Sequence, residues 1–185
     1  MRRLLYLTGR PGAGKSTLAA ALTAGLPSFV DRRPFAHVVF HSCSPPVAAL
    51  GAPRDGFPGT DTLPMNVVTA VRAWLPTVTF DVLGEGDRLA TAGFLDGCRE
   101  MGLSVCHVHL DLDDAGAEAR LATRTEWSPS SAWLAGRVTK ARRLGERADL
   151  VLDASLPTGE LAVAVREASP VAAALAAAQE ALAGP

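Results

Sequence analysis

The eight residues Gly9-Arg10-Pro11-Gly12-Ala13-Gly14-Lys15-Ser16 follow directly on the apolar run Leu4-Leu5-Tyr6-Leu7. No other feature constrains the fold as tightly. A short apolar run ahead of a glycine loop reads as a parallel strand covered on both faces. The alanine- and leucine-rich stretch 16–26 reads as a helix, ended by Gly25 and Pro27. Between them the spacing G-x-x-x-x-G-K-[ST] is met by Gly9, Gly14, Lys15 and Ser16. Glycines let successive backbone N–H groups turn inward into an anion-binding nest. The following helix presents its positive end to the same anion. In such a loop the lysine reaches the β- and γ-phosphates and the hydroxyl binds Mg²⁺. Gly9, Pro11, Gly12, Ala13, Gly14, Lys15, Ser16 and Thr17 are therefore assigned to the phosphates of a nucleoside triphosphate, with ATP as the default donor and Mg²⁺ at Ser16.

The rest of the chain continues the alternation. Further strands are expected at 38–40, 78–83, 105–110 and 150–152, and helices at 65–75, 89–101, 115–124, 131–144 and 159–168. This predicts an α/β fold of the P-loop NTPase type. A five-stranded parallel sheet is flanked by helices, with a small helical lid over about 115–147. Residues 1–185 read as one domain, closed by an alanine-rich helix over about 168–183. Residues 42–64 are rich in proline and glycine and read as a loop. A loop of that length in a compact domain marks a functional segment.

The chain of 185 residues carries a net charge of -1, which argues against broad non-specific affinity for nucleic acid. Cys43, Cys98 and Cys106 are too few and too irregular for a disulfide framework, so a reducing cytoplasm is expected. No run approaches the length of a membrane span, and no membrane partner is expected.

Phosphoryl transfer requires a carboxylate at the end of a neighbouring strand to order the metal's hydration shell. Gly84-Glu85-Gly86-Asp87-Arg88 supplies two, Glu85 and Asp87, at a carboxyl end where open α/β sheets bind ligands. Asp87-Arg88 resembles the Asp-Arg pair of thymidylate kinases, whose arginine lies near the acceptor phosphate. Arg120, Arg124, Arg137, Lys140, Arg142, Arg143 and Arg147 concentrate between the fourth and fifth expected strands, where a closing lid excludes water and stabilises the transferring group. Arg124, Arg137 and Lys140 are assigned to this role, Arg124 on the nucleotide side. Arg142, Arg143 and Arg147 are assigned to solvent. Trp127 and Trp133 either anchor the lid or stack on a base.

The stretch from Arg54 to Asn66 combines charge and turn chemistry before a helix. Two readings of Asp61 stay open. With Thr60 and Thr62 it caps that helix, or it orients or deprotonates an acceptor hydroxyl. Arg54, Thr60, Asp61, Arg88 and Asp31 form the candidate acceptor set, although Asp31-Arg32-Arg33 also reads as a surface turn. His107 and His109 share a face of one strand, where satisfied polar positions are expected ahead of a metal site.

Four stretches occur in order: Gly9 to Ser16, Gly59-Thr60-Asp61-Thr62-Leu63-Pro64-Met65-Asn66, Gly84-Glu85-Gly86-Asp87-Arg88-Leu89-Ala90, and Trp133-x-x-Gly136-Arg137-x-Thr139-Lys140. Together they resemble the small P-loop kinases of tailed phages that phosphorylate 5-hydroxymethyluracil in DNA. The resemblance spans about 4–153. It implies transfer of the γ-phosphate of ATP to the base's hydroxymethyl group during thymidine hypermodification. It also implies DNA containing a modified pyrimidine as partner, and the host cytoplasm as location if the chain is phage-encoded. By the same resemblance Lys15 and Ser16 hold ATP and Mg²⁺, and Asp61 lies near the acceptor. Glu85 and Asp87 serve the metal and the hydroxyl, while Arg137 and Lys140 belong to the lid. Two alternatives stand beside it: a small-molecule nucleoside or nucleotide kinase, and an ATPase or switch module without an acceptor. The sequence leaves the oligomeric state open.

Overall fold

A computed structural model describes residues 2–53, 59–123 and 130–184. Its sheet has seven strands in the order β2-β3-β4-β5-β1-β6-β7. β1 (Arg3–Gly9) lies inside it, parallel to both neighbours, β5 (Asp81–Glu85) and β6 (Ser104–Asp111). Leu4, Leu5, Tyr6 and Leu7 are all fully buried, as a strand covered on both faces requires. Leu5 and Leu7 join the core under α1 (Lys15–Thr23), α6 (Thr158–Ala168) and α7 (Pro170–Ala183). Leu4 and Tyr6 point to the opposite core, under α2 (Val67–Trp74) and α3 (Ala92–Glu100).

The parallel body is β4 (Val47–Leu50), β5, β1, β6 and β7 (Leu150–Asp153). Beyond β4, the antiparallel strands β3 (His37–Phe40) and β2 (Phe29–Asp31) extend one edge. The expected count of five strands is thus corrected to seven. The stretch 38–40 is a strand, but it runs antiparallel. The parallel position belongs to Val47-Ala48-Ala49-Leu50, inside the stretch read as loop. That strand has four residues, two of them alanine, and Pro45, Pro46 and Pro53 crowd its ends. Its propensity signal is therefore weak, and the sheet on either side supplies the stability.

β5 is anchored at its start by Asp81, which is buried and ion-paired with the Arg3 side chain and accepts from the Arg3 N–H at 3.1 Å. The strand begins and ends three and two residues later than expected, so Glu85 is the last residue of the strand rather than part of the turn after it. The segment expected to form a lid contributes α4 (Asp114–Ala122) and α5 (Ser131–Gly145), both capped at their N-termini, by Asp113 and Ser130. Ser169 separates α6 from α7, and Gln179 on α7 donates to Ala21 O (3.3 Å) and Ala24 O (2.8 Å) at the end of α1. The tail is thereby packed on the core. Among the described residues no single helix is long and apolar enough to cross a membrane.

Candidate active site

The site lies at the carboxyl ends of β1, β5 and β6. Gly14 precedes α1 with φ 89°, a left-handed conformation that only glycine adopts without strain. No side chain caps α1 and its first turn holds no acidic residue, so the first N–H groups face the loop. The Lys15 ammonium folds over the loop, donating to Gly9 O at 2.9 Å and Arg10 O at 3.1 Å. Arg10 is tied outward to Asp114 (2.5 Å) and Leu112 O (3.3 Å), which fixes the loop against the start of α4.

Glu85 faces this loop from the end of β5. The Ser16 hydroxyl lies 3.2 and 3.1 Å from its two carboxylate oxygens. Glu85 is buried, and burial raises its pKa, with Asp61 adding to the rise and Lys15 and Ser16 opposing it. Among the described residues no group of three or more metal-ligating side chains gathers. One hydroxyl and one carboxylate do suit Mg²⁺, which keeps several waters and takes its other ligands from substrate phosphates. Ser16 and Glu85 are the residues that would hold it.

Asp87, two residues further, belongs to a different cluster. Its carboxylate is ion-paired with Arg137 and with Lys140 (2.8 Å), and the Lys140 ammonium also donates to Asp87 O at 2.8 Å. Arg137 and Lys140 lie one turn apart on α5, and the Arg137 guanidinium stands 4.9 Å above the Trp133 ring. Burial pushes the Lys140 ammonium down to about 8, with Arg137 acting in the same direction and Asp61 against it. The assignment of Asp87 to the metal is therefore not what the geometry brings about. Its charge is turned to α5, and among the described residues Glu85 is the carboxylate that faces Ser16.

Asp61 sits in a 3₁₀ turn, Gly59–Thr62, docked on the end of β5. Its carboxylate caps no part of α2, whose N-cap is Asn66 and makes no side-chain cap bond. Instead it accepts from the N–H groups of Asp87 (2.8 Å) and Arg88 (3.0 Å). The helix-capping reading of Asp61 is thereby corrected: the donors it satisfies belong to the turn after β5. Thr60 is fully buried against the Tyr6 phenol at 3.3 Å. Gly59 packs so closely on Glu85 that an added Cβ would stand 2.2 Å from Oε1. The Arg88 guanidinium donates to Asp61 O at 3.4 Å, and its Nε meets no hydrogen-bond partner among the described residues.

Other expected site residues fall elsewhere. Asp31 accepts from the Arg33 N–H at 2.8 Å within its own turn, as a surface turn would. Arg54, Arg124 and Trp127 lie outside the described residues. Arg147 pairs with Asp96 (2.9 Å) on the surface, away from the loop. His107 and His109 converge on the Thr8 hydroxyl, at 2.7 and 2.9 Å. Burial lowers the pKa of both, that of His107 to about 4.

One residue escaped the sequence reading. Arg120 on α4 donates to Gly12 O (3.4 Å) in the phosphate loop and to Ala154 O (2.7 Å) after β7. Ala154 lies in sequence between Asp153 and Ser155, which with Asp111, Leu112, Asp113 and Val151 line a cavity of about 490 Å³. The place of Arg120 in the basic run was visible, but nothing in that run separated it from Arg124.

An uncapped helix behind a glycine loop, a strand-end carboxylate on the loop's serine and a basic helix ion-paired with a second carboxylate define a P-loop phosphotransferase. The chain belongs to the P-loop Nucleotide Kinase3 family, whose model matches residues 1–173. Solved structures share the fold. A sugar kinase from Janibacter sp. HTCC2649 is 17% identical, with TM-score 0.53, covering 94% of this chain and 99% of its own. A gluconokinase from Sinorhizobium meliloti 1021 is 23% identical, with TM-score 0.50, covering 95% of each chain. The tunicamycin resistance protein of Deinococcus radiodurans is 20% identical, with TM-score 0.52, covering 90% of this chain and 95% of its own. No curated protein matches the chain.

Proposed function

We propose that this kinase transfers the γ-phosphate of ATP to a hydroxyl of a small-molecule acceptor. The observation that carries the reading is the separation of two carboxylates at one strand end: Glu85 on the Ser16 hydroxyl, Asp87 on the lid cations Arg137 and Lys140. An enzyme that only hydrolyses ATP has no need of a second carboxylate held by a lid. Ser16 and Glu85 would hold Mg²⁺, which would supply neutralisation of the phosphate charge. The loop N–H groups and Lys15 cradle those phosphates. Arg120 holds Ala154 O beside the cavity at the ends of β6 and β7, whose aspartates suit the hydroxyls of a ribose. On the other side, Asp87 accepts the proton of the attacking hydroxyl, within hydrogen-bond reach of an acceptor placed under α5. Arg137 and Lys140 then lie beside the transferring group, and closure of the lid keeps water out.

A small acceptor fits the near-neutral net charge of -1 and the names of the sugar kinase and gluconokinase that share the fold. A second reading keeps the hydroxymethyl group of 5-hydroxymethyluracil in DNA as the acceptor. It is favoured by the combined stretches Gly59 to Asn66 and Trp133 to Lys140.

One assay separates them. Labelled ATP is offered with a panel of sugars, polyols, nucleosides and nucleotides, and separately with DNA containing 5-hydroxymethyluracil. Label on a small molecule with DNA unlabelled supports the first reading, and label on DNA alone replaces it with the second. Hydrolysis of ATP with no labelled acceptor in any arm overturns both in favour of an ATPase or switch module.

A further inference from the structure

We infer that Asp61 is a positioning residue, the bolt that holds the Asp87-Arg88 pair in place, and not the group that takes the proton from the acceptor. The inference rests on the kinase reading above, whose site it deepens.

Three observations converge on it. First, one oxygen of the Asp61 carboxylate, Oδ1, accepts two backbone N–H groups, from Asp87 at 2.8 Å and Arg88 at 3.0 Å. Its accepting capacity on that oxygen is spent on the turn after β5. Second, the 3₁₀ turn that carries Asp61 is braced from below. The fully buried Tyr6 phenol donates to Gly86 O at 3.1 Å and shares a hydrogen bond with the Thr60 hydroxyl at 3.3 Å, and its ring meets Phe94 edge-on at 6.1 Å. Tyr6, itself paired with Thr60, and Asp61 thus bind the backbone of three consecutive residues, Gly86, Asp87 and Arg88. Third, the far side of Asp87 is what the lid holds, through Arg137 and through Lys140 at both its carboxylate and its carbonyl. The chain of contacts runs from the 3₁₀ turn through Asp61 and the Asp87 backbone to α5. Asp61 sets where the Asp87 carboxylate stands relative to the lid cations and so acts on the reaction through Asp87.

The chemistry of the side chain makes a sharp test. An asparagine Oδ1 accepts the same two N–H bonds but carries no proton at any working pH. Under the inference, Asp61→Asn restores most of the turnover that Asp61→Ala loses. Asp61→Ala lowers kcat about 100-fold, as misplacement of a reacting group does, with KM for ATP little changed. The pH profile of kcat keeps its shape in Asp61→Asn. Asp87→Asn, by contrast, loses about 10²- to 10⁴-fold. If Asp61→Asn is as inactive as Asp87→Asn while both fold and bind ATP, Asp61 is the base and the inference is overturned, with the kinase reading intact. A second readout does not need activity. Amide hydrogen exchange at Asp87 and Arg88 is expected to quicken in Asp61→Ala and to stay near wild type in Asp61→Asn. Unchanged exchange in Asp61→Ala overturns the inference even if no acceptor is ever phosphorylated, an outcome that by itself would sink only the kinase reading.

Discussion

The phosphate loop and the joint around Asp87 lie side by side at the same end of the sheet, yet they are built in opposite ways. The loop is eight consecutive residues whose geometry comes from their own backbone. Glycine at the left-handed Gly14 and an uncapped helix behind it suffice to aim N–H groups at an anion. The joint takes Tyr6 from β1, Thr60 and Asp61 from a 3₁₀ turn, Glu85 to Arg88 from the end of β5, and Arg137 and Lys140 from α5. Asp61 and Asp87 are 26 residues apart in the chain. On the proposed function the local device takes the phosphates that every such enzyme shares, and the long-range device, which depends on packing throughout the domain, takes the acceptor that differs.

The contrast predicts that damage to the loop removes activity without touching stability, whereas damage to the joint removes both. The largest expected effect is at Lys15. Lys15→Ala should lower phosphoryl transfer on the order of 10²- to 10³-fold, with an unfolding midpoint close to wild type. Retained turnover in an acceptor assay would contradict the assignment of the loop. Next comes Gly59→Ala. Its Cβ would stand 2.2 Å from Glu85 Oε1 on a residue with φ 58°, so the 3₁₀ turn must shift. A loss of about 1–3 kcal/mol is expected, read by thermal or urea unfolding, together with a fall in turnover. Full stability would mean that the turn is not seated on β5 as described.

The face of the sheet under α5 sharpens the comparison through pH. His107 and His109 are buried on the Thr8 hydroxyl, and burial holds His107 at about 4, below its ordinary 6.5. The unfolded chain therefore binds more protons than the native one between pH 6.5 and about 4. Stability should fall as pH falls through that window, by at most about 1.4 kcal/mol per pH unit for one histidine. His107→Gln is expected to flatten the dependence of the unfolding midpoint on pH, and an unchanged slope would assign the acid sensitivity to other groups. The smallest effect is expected just beyond the far end of α5. Arg147→Ala breaks only the exposed pair with Asp96 and should cost less than about 1 kcal/mol, with turnover unaltered. A marked loss of activity there would show that the whole helix, and not only the turn bearing Arg137 and Lys140, is coupled to the site.

Much of this was legible before any coordinates. The fold class followed from the strand and loop at 4–16 and the alternation after them, because apolar period and turn chemistry are local signals. β4 was not legible, because Val47-Ala48-Ala49-Leu50 has little intrinsic strand character and gains its order from β3 and β5. Arg120 was hidden in a run of like residues, since composition does not say which guanidinium meets Gly12 and Ala154. Glu85 and Asp87 were both nominated, but as one acidic element. Their separate contacts, Glu85 with Ser16 and Asp87 with α5, depend on which face of the chain each presents at the end of β5.

The sequence by itself determined the glycine-loop geometry at Gly9 to Ser16, because that geometry is written in the φ, ψ freedom of adjacent residues. Only the tertiary structure decided what stands opposite. The hydrogen bonds of Asp61 to Asp87 and Arg88, and the ion pairs of Asp87 with Arg137 and Lys140, join residues from separate elements. Such contacts exist only once strands, turn and lid helix are packed in register, and no local preference of the chain encodes them.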